Sequence, residues 1–393
     1  MKNRSTLTAL LTMYNRWIEA ASRGQVSGAV FIDLSAAFDL VDPQLLLKKL
    51  EIYGLNQDAL SWITSYLSDR GQAVWIDHIL SDFLKCPIGV PQGSNLGPLL
   101  FLVFFNDLPK HLESNVDTYA DDTTISATDT SLEAIGNKLT KDCQILSKWM
   151  KCNRLKLNPE KTQILTLGTN QRLKTVKELK VSMDGMLLQS KDSNHEILLG
   201  CHIDGNLNWD SQVSALKSKL SQRLCGLMHL KSVCPLNIRK IIAEGFFNSV
   251  LLYCLPLFGG LEKKHIKELQ TLQNKAARLV CNLPPRSSRQ ELFKRLDWMS
   301  IHQLICYHTL IVIFKIRLHK DPPSLAKLVC RDSRNGRIQL PRQNLSLALR
   351  SFCYRGPEIW NRLPSRLRNL NRIGQFKTEL RKWITGNIPL LLD

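Results

Sequence analysis

The stretch "DTYADDTTIS", Asp117 to Ser126, sets two acids side by side, Asp121 and Asp122, between segments that read as short strands. A hairpin turn is the ordinary reading, because Asp tolerates turn geometry and Thr123, Thr124 and Ile125 suit a following strand. Two carboxylates that hold a metal usually need a third ligand from a distant segment. One stands upstream in "GAVFIDLSAAFD", where Asp33 ends an apolar strand 88 residues before Asp121.

The composition bounds what such a site can belong to. At 393 residues, with 44% hydrophobic and 22% charged residues, the chain can bury a sizeable core in two or three units. Its net charge of +19 is uneven: residues 1–170 balance at −2 and residues 171–393 at +21. A basic half suggests a polyanionic partner such as RNA or DNA, or an anionic membrane surface, and a solvated basic face is the plain alternative. The eleven Cys are scattered without a Cys-x-x-Cys pair, which speaks for reduced thiols in an intracellular protein and against a zinc ribbon or knuckle. No signal peptide is legible at the N-terminus. "PLLFLVFF" (98–105) is too short to span a bilayer and "GFFNSVLLYCLPLFGG" (245–260) is interrupted by Asn248 and Ser249, so both read as buried elements.

A coarse pass predicts a strand over Ala29 to Leu34, then a helix capped by Asp42 and Pro43 that runs through Leu50 and stops at Gly54. A second helix covers Asp58 to Leu67, "QAVWIDHILSDFLKCPIGV" reads as a strand pair, and Asn95 to Asp107 as an apolar helix. After the acidic hairpin come a long amphipathic helix (Leu132 to Met150) and a strand (Thr162 to Leu167). From about Asp210 the pattern is mainly helical, with breaks near 235, 259 and 284. The fold class is therefore α+β, an antiparallel sheet with helices on one face followed by a helical region. Such a sheet can bring Asp33 beside Asp121 and Asp122, where mutual repulsion would call for divalent cations; clustered hard oxygens suit Mg²⁺.

"FIDLSAAFD", "GVPQGSNLGPLLFLVFFNDLP", "TYADDTTI", "WMKCNRLKLNPEKTQILTLG" and "LLGCHIDGNLNW" occur in the order found in reverse transcriptases. The set resembles the polymerases of non-LTR retrotransposons, of the jockey and CR1 type. That resemblance implies a right-hand polymerase: a fingers remnant at 1–28, a palm at 29–207, a helical thumb at 208–285 and a basic C-terminal region at 286–393. It implies an RNA-directed DNA polymerase, a nucleotidyltransferase of a transposable element, that adds dNTPs to a DNA primer on an RNA template. Two Mg²⁺ ions, with Mn²⁺ as a substitute, would be bridged by Asp33 and Asp121, with Asp122 as a weaker ligand. The Leu34 carbonyl would face the nucleotide metal. Phe38 takes the family's steric-gate position, or else is a core aromatic. Gln92 and Gly93 would line the templating base and incoming nucleotide, or form only a turn and cap. Lys161 would sit near the triphosphate and protonate departing pyrophosphate, or is an exposed loop lysine. The hairpin around "LLGCHID" would grip the primer.

Relative to the family, the fingers are represented only by "KNRSTLTAL", with Arg4 as the nucleotide contact, so the chain reads as truncated at its N-terminus and weakened in activity. Its C-terminal "SFCYRGPEIWNRLPSRLRNLNRIGQFKTELRKWI" resembles the segment closing many such elements. Trp360 and Trp383 there would stack on RNA bases, or the segment is a basic surface helix packed by Trp383. Two rivals follow: a catalytically inactive RNA-binding remnant, and a group-II-intron or telomerase-like polymerase, which the "WNRLP" segment disfavours. The expected setting is a nuclear or cytoplasmic ribonucleoprotein, with no membrane partner.

Overall fold

The computed structural model describes residues 4–386, apart from 177, 189, 191–193, 232, 285, 331–335 and 344. Contacts divide the chain into two compact units, one formed by residues 26–166 and 171–194, the other by residues 1–25, 167–170 and 195–393. Its content of helix and sheet makes the chain α+β.

The chain begins with α1 (Thr6–Ser22), capped by Ser5 and Thr8 in a reciprocal capping box. The first unit is then built on a four-stranded sheet whose strands lie in the order Gln163–Leu167, Val26–Ile32, Asp122–Asp129 and Asn115–Tyr119. β1 (Val26–Ile32) ends one residue short of Asp33, and β2 (Leu34–Ser35) resumes beyond it. Asp42 caps α2 (Pro43–Ile52): its Oδ1 accepts from the Gln44 and Leu45 amides at 2.9 and 3.0 Å, and its Oδ2 from the Arg154 guanidinium. Proline at the first helical position fits because its missing N–H would have had no partner there. α3 (Gln57–Leu67) follows, capped by Asn56.

The expected strand pair between 72 and 90 is two small hairpins. β3 (Gly71–Gln72) pairs with β6 (Leu84–Lys85), and β4 (Trp75–Ile76) with β5 (Ile79–Leu80). The sequence places apolar residues here at both alternating positions, so no register buries them all. α4 (Gly97–Phe105) carries Leu100, Phe101, Phe104 and Phe105 into the core.

β7 (Asn115–Tyr119) and β8 (Asp122–Asp129) form the acidic hairpin, and α5 (Leu132–Cys152) lies across β1 and β8. A Cβ on Gly28 would stand 2.6 Å from Ile135 and 3.1 Å from Leu139, so glycine is what lets α5 approach the strand. β9 (Lys156–Leu157) pairs with β2, and β10 (Gln163–Leu167) completes the sheet. The core of this unit joins Val30 and Ile125 of the sheet to Leu139 and Leu146 of α5 and to Phe101 and Phe104 of α4.

The second unit is helical. A short hairpin of His195–Leu198 and Cys201–Asp204 precedes helices at Asp210–His229 and Lys263–Cys281. The helix Ile301–His319 is long and apolar enough to cross a membrane, the only such helix among the described residues. It is more than half buried, against helices Pro323–Val329, Phe352–Arg362 and Ile373–Gly386, which accounts for its apolar character. α1 belongs to this unit and contacts Pro323–Val329 and Phe352–Arg362.

Candidate active site

The site grows from strand register. β1 and β8 run antiparallel with Ile32 opposite Thr123, and β7 and β8 close with Tyr119 opposite Asp122. Asp33 follows Ile32 and Asp122 precedes Thr123, so both acids lie at the same end of this strand pair. Side chains alternate across a strand, so Asp33 and Asp122 share the face that carries Phe31 and Thr124, while Val30, Ile32 and Ile125 go to the core. Ala120 and Asp121 are the whole loop of the hairpin. Ala120 takes φ 55°, a left-handed conformation usually given to Gly or Asn.

Charge records the same convergence. Burial first, then the carboxylates of Asp121 and Asp33, hold the Asp122 carboxyl above its usual range. All three acids therefore lie in one field. Among the described residues no three His, Cys, Asp or Glu side chains are gathered closely enough to hold one metal ion. Carboxylates are hard oxygen donors of the kind a divalent cation takes, and these lie at the end of the two central strands rather than in a closed cage.

Two loops border this end. The Asp33 carbonyl accepts from the Asn158 amide at 3.1 Å, while Leu34, nearly buried, pairs with Leu157. Asn158 then organises the loop that carries Lys161: its Oδ1 accepts from the Lys161 amide at 3.2 Å, and its carbonyl from the Thr162 hydroxyl at 2.8 Å. Lys161 itself is exposed. On the other side, the Val90 and Gly89 amides donate to the carbonyls of Phe38 and Val41 at 2.9 and 2.7 Å. Gly89 is at φ 84°, and a Cβ there would lie 2.7 Å from the Asp39 carbonyl oxygen. Only glycine allows this docking.

The same loop carries Gln92, whose Nε2 donates to Asp39 Oδ1 at 2.8 Å, and Gly93, at φ 77° with nothing within 4 Å of where a Cβ would stand. Phe38 is half-buried and stacks on Phe101 with centroids 4.5 Å apart and planes at 27°. Its ring is thus part of the core packing as well as a neighbour of Asp33 in the chain.

Asp39 and Asp142 are positioning residues that sequence reasoning passed over. Asp142, fully buried on α5, accepts from the Glu113 and Ser114 amides at 3.0 and 2.9 Å and so anchors the start of β7. Nothing in the spacing of either acid announces its partner, although an Asp on the apolar face of α5 was a visible anomaly.

The remaining expected residues belong to the other unit. Arg4 pairs with Asp321 at 3.6 Å. Trp383 is half-buried and has partners of its own. Base stacking at Trp360 is corrected. The ring is 1% exposed, packs 5.9 Å from Phe376, and gives its N–H to the Gly336 carbonyl at 3.0 Å, which leaves no face for a base.

Comparison with known proteins agrees with this geometry. Residues 1–203 match the family model described as "Reverse transcriptase (RNA-dependent DNA polymerase)". The chain is 27% identical over 337 residues to the probable RNA-directed DNA polymerase from transposon BS of Drosophila melanogaster, covering 81% of this chain and 36% of that protein. It is also 27% identical over 280 residues to the RNA-directed DNA polymerase from mobile element jockey of the same organism, covering 68% and 30%. The chain thus spans about a third of the length of these relatives. Among solved structures, a telomerase from Candida albicans in complex with a fragment of telomeric RNA is similar at 16% identity and a TM-score of 0.33, over 84% of this chain and 53% of that one. With its family model spanning more than half of the sequence, the chain belongs to the reverse transcriptase family, and the relatives it resembles are RNA-directed DNA polymerases from transposon BS and from mobile element jockey.

Proposed function

We propose that this chain is the polymerase core of a non-LTR retrotransposon, adding deoxynucleotides to a DNA primer 3′ end on an RNA template. The observation that carries the reading is that Asp33 and the Asp121–Asp122 turn lie at the same end of the two central strands, where the carboxylates of Asp121 and Asp33 raise the cost of ionising Asp122. Three acids held against their own repulsion are suited to cations. Asp33 and Asp121 would be the principal ligands and Asp122 the weaker one. Mg²⁺ bound there would lower the pKa of the primer 3′-hydroxyl and neutralise charge on the triphosphate and departing pyrophosphate.

The protein's own part is positioning. The Asp39–Gln92 hydrogen bond ties the segment after Asp33 to the Pro91-Gln92-Gly93 loop, which would hold Asp33 as a metal ligand in step with Gln92 and Gly93 as the nucleotide-lining residues. Gly93 offers bare backbone with open space beside it, which a base or sugar can approach closely. The Leu34 carbonyl would face the nucleotide, and Phe38 would restrict space at the ribose 2′ position. Lys161, held out by the Asn158 loop, would meet the triphosphate and give a proton to pyrophosphate. Residues 29–207 would act as palm, 208–285 as thumb, and 286–393 as a basic nucleic-acid-binding region.

Primer extension on an RNA template tests this. Asp121→Asn should abolish extension while thermal unfolding stays cooperative, because losing one principal carboxylate disorganises metal binding. Extension by the variant at the wild-type rate would remove Asp121 from the active site. RNA binding by a wild-type chain that never extends a primer would favour an inactive RNA-binding remnant.

A further inference from the structure

The ribbon between α3 and α4 carries a surface that polymerase chemistry does not use. The β3/β6 and β4/β5 pairs lie end to end along it, joined where the Ser81 amide donates to the Val74 carbonyl and the Val74 amide to Ser81 Oγ, at 2.9 Å each. Asp77 and His78 turn its tip, both at positive φ (47° and 67°). Val74, Trp75, Ile76, Ile79, Phe83 and Leu84 are each between 61% and 73% exposed. Successive side chains point to opposite faces, so Val74 and Ile76 line one face and Trp75 the other, and neither face is polar. These six side chains together offer roughly 700 Å² of apolar surface to solvent. That exceeds the largest patch of most monomers, about 300–600 Å², and approaches the ~800 Å² that each partner gives to a standard interface.

The ribbon also has two open edges, since among the described residues no third strand pairs with it. Two strands alone are marginally stable, and three or more with an apolar face are not. Its charges favour a protein partner over a nucleic acid. Residues 69–86 set Asp69, Asp77 and Asp82 against Arg70 and Lys85, and Arg70 is already taken up by the carbonyls of Ile88 and Gly89, so no positive field remains for phosphates. The two edges differ from each other. Ile79 to Lys85 carries Asp82 and Lys85, charges of the kind that keep an edge from pairing, whereas Gly71 to Ile76 carries none. Val74 turns its N–H and C=O inward to Ser81, so Ala73 and Trp75 turn theirs outward along this uncharged edge.

We propose that the Gly71–Ile76 edge docks on the same edge of a second copy of this chain, joining two ribbons into one four-stranded antiparallel sheet. A two-fold axis through Val74 pairs the outward groups of Ala73 with those of Trp75 in the second copy, and those of Trp75 with its Ala73. Val74 then meets its own counterpart as a pair without hydrogen bonds, the Cα atoms about 4.5 Å apart. An edge that is its own complement closes at two copies, because only the charged edge of each ribbon is left open. The pairing does not depend on the polymerase reading.

Analytical ultracentrifugation of the full chain after nuclease treatment tests the proposal. The mass should double with concentration in the micromolar range, and the dimer should persist at about 1 M salt, where charges are screened within about 3 Å. Val74→Lys sets two like charges on the axis and should weaken dimerisation at least tenfold. Position 74 is exposed, so thermal unfolding of that variant should stay cooperative. Val74→Cys, with oxidised glutathione as the oxidant, should form a bridge between the two copies at position 74, because a Cα separation of about 4.5 Å lies within disulfide range. Peptide mass spectrometry distinguishes that bridge from any made by the native cysteines, and Ile79→Cys on the other strand should give none. A chain that sediments as a monomer throughout, Val74→Lys dimerising like the wild type, or Val74→Cys without its bridge would each overturn the proposal. So would association that nuclease or high salt abolishes, which would make nucleic acid the link, and so would growth beyond the dimer, which would mean that the charged edge pairs as well.

Discussion

Asp122→Asn should make the protein more stable and less able to respond to Mg²⁺. Asp122 opens β8 at the end of the sheet where Asp33 follows β1, and stands beside Asp121 in the chain; both carboxylates oppose its ionisation. Like charges facing each other across strands cost roughly 0.2–1 kcal/mol per pair. Asp122 is exposed as a residue although its carboxyl is partly shielded, so solvent screening favours the low end of that range, and two neighbours together give a gain of about 0.5–1 kcal/mol on neutralisation. For a unit of this size that is a rise of roughly 1–4 °C in Tm. The sign of the pH dependence follows from the raised folded pKa. The native state favours the protonated carboxyl, so Asp122 contributes stability below its unfolded pKa, near 3.8, and loses it as pH rises through the higher folded value. The advantage of Asn should therefore be full at pH 7.5 and shrink toward zero as pH falls below 4. Mg²⁺ at millimolar concentration should raise the wild-type Tm more than that of the variant, since a cation that binds the native state stabilises it by mass action. Urea and thermal melts from about pH 4 to 8, with and without Mg²⁺, measure all of this. A variant no more stable than the wild type at pH 7.5, with an unaltered Mg²⁺ response, would refute the claim that the three acids share one field.

Phe38→Val should cost about 1–3 kcal/mol through its lost stacking on Phe101, and should also let ribonucleotides in more readily; melts and dNTP/rNTP competition separate the two, and a stability loss with unchanged discrimination would make the ring core alone. Asp142→Ala should destabilise the first unit by about 2–4 kcal/mol, because the buried Ser114 amide and the part-buried Glu113 amide lose a charged acceptor; hydrogen exchange should rise first at Glu113 and Ser114. Gly93→Ala should cost about 1–2 kcal/mol from its left-handed backbone and not from any clash, so a nucleotide KM that rises far beyond what this strain accounts for would mark close approach of the substrate.

Much of the site was legible because its determinants are local. Period-two alternation put Asp33 and Asp122 on a common face once the two strands paired, and a two-residue loop fixed the register of the hairpin. Asp42 and Pro43 announced a helix start by chemistry that works within four residues. The amphipathic run from Leu132 likewise became α5, within a turn of its expected end.

Pairings across long stretches of chain were invisible. Asp39 finds Gln92 at a separation of 53 residues, and Asp142 finds Glu113 at 29; neither side chain carries a mark of its partner, since a hydrogen bond is specified by where two backbones are brought and not by either sequence window. Trp360 shows the limit most plainly. Flanked by Arg355 and Arg362, it has the composition of a stacking surface and of a buried anchor alike. The sequence by itself determined that basic residues and an indole would lie together in this segment. Only tertiary packing against Phe376 decided that the indole goes inside, with the Arg317 guanidinium 5.2 Å from its ring centroid, because burying a large aromatic surface outweighs leaving it wet.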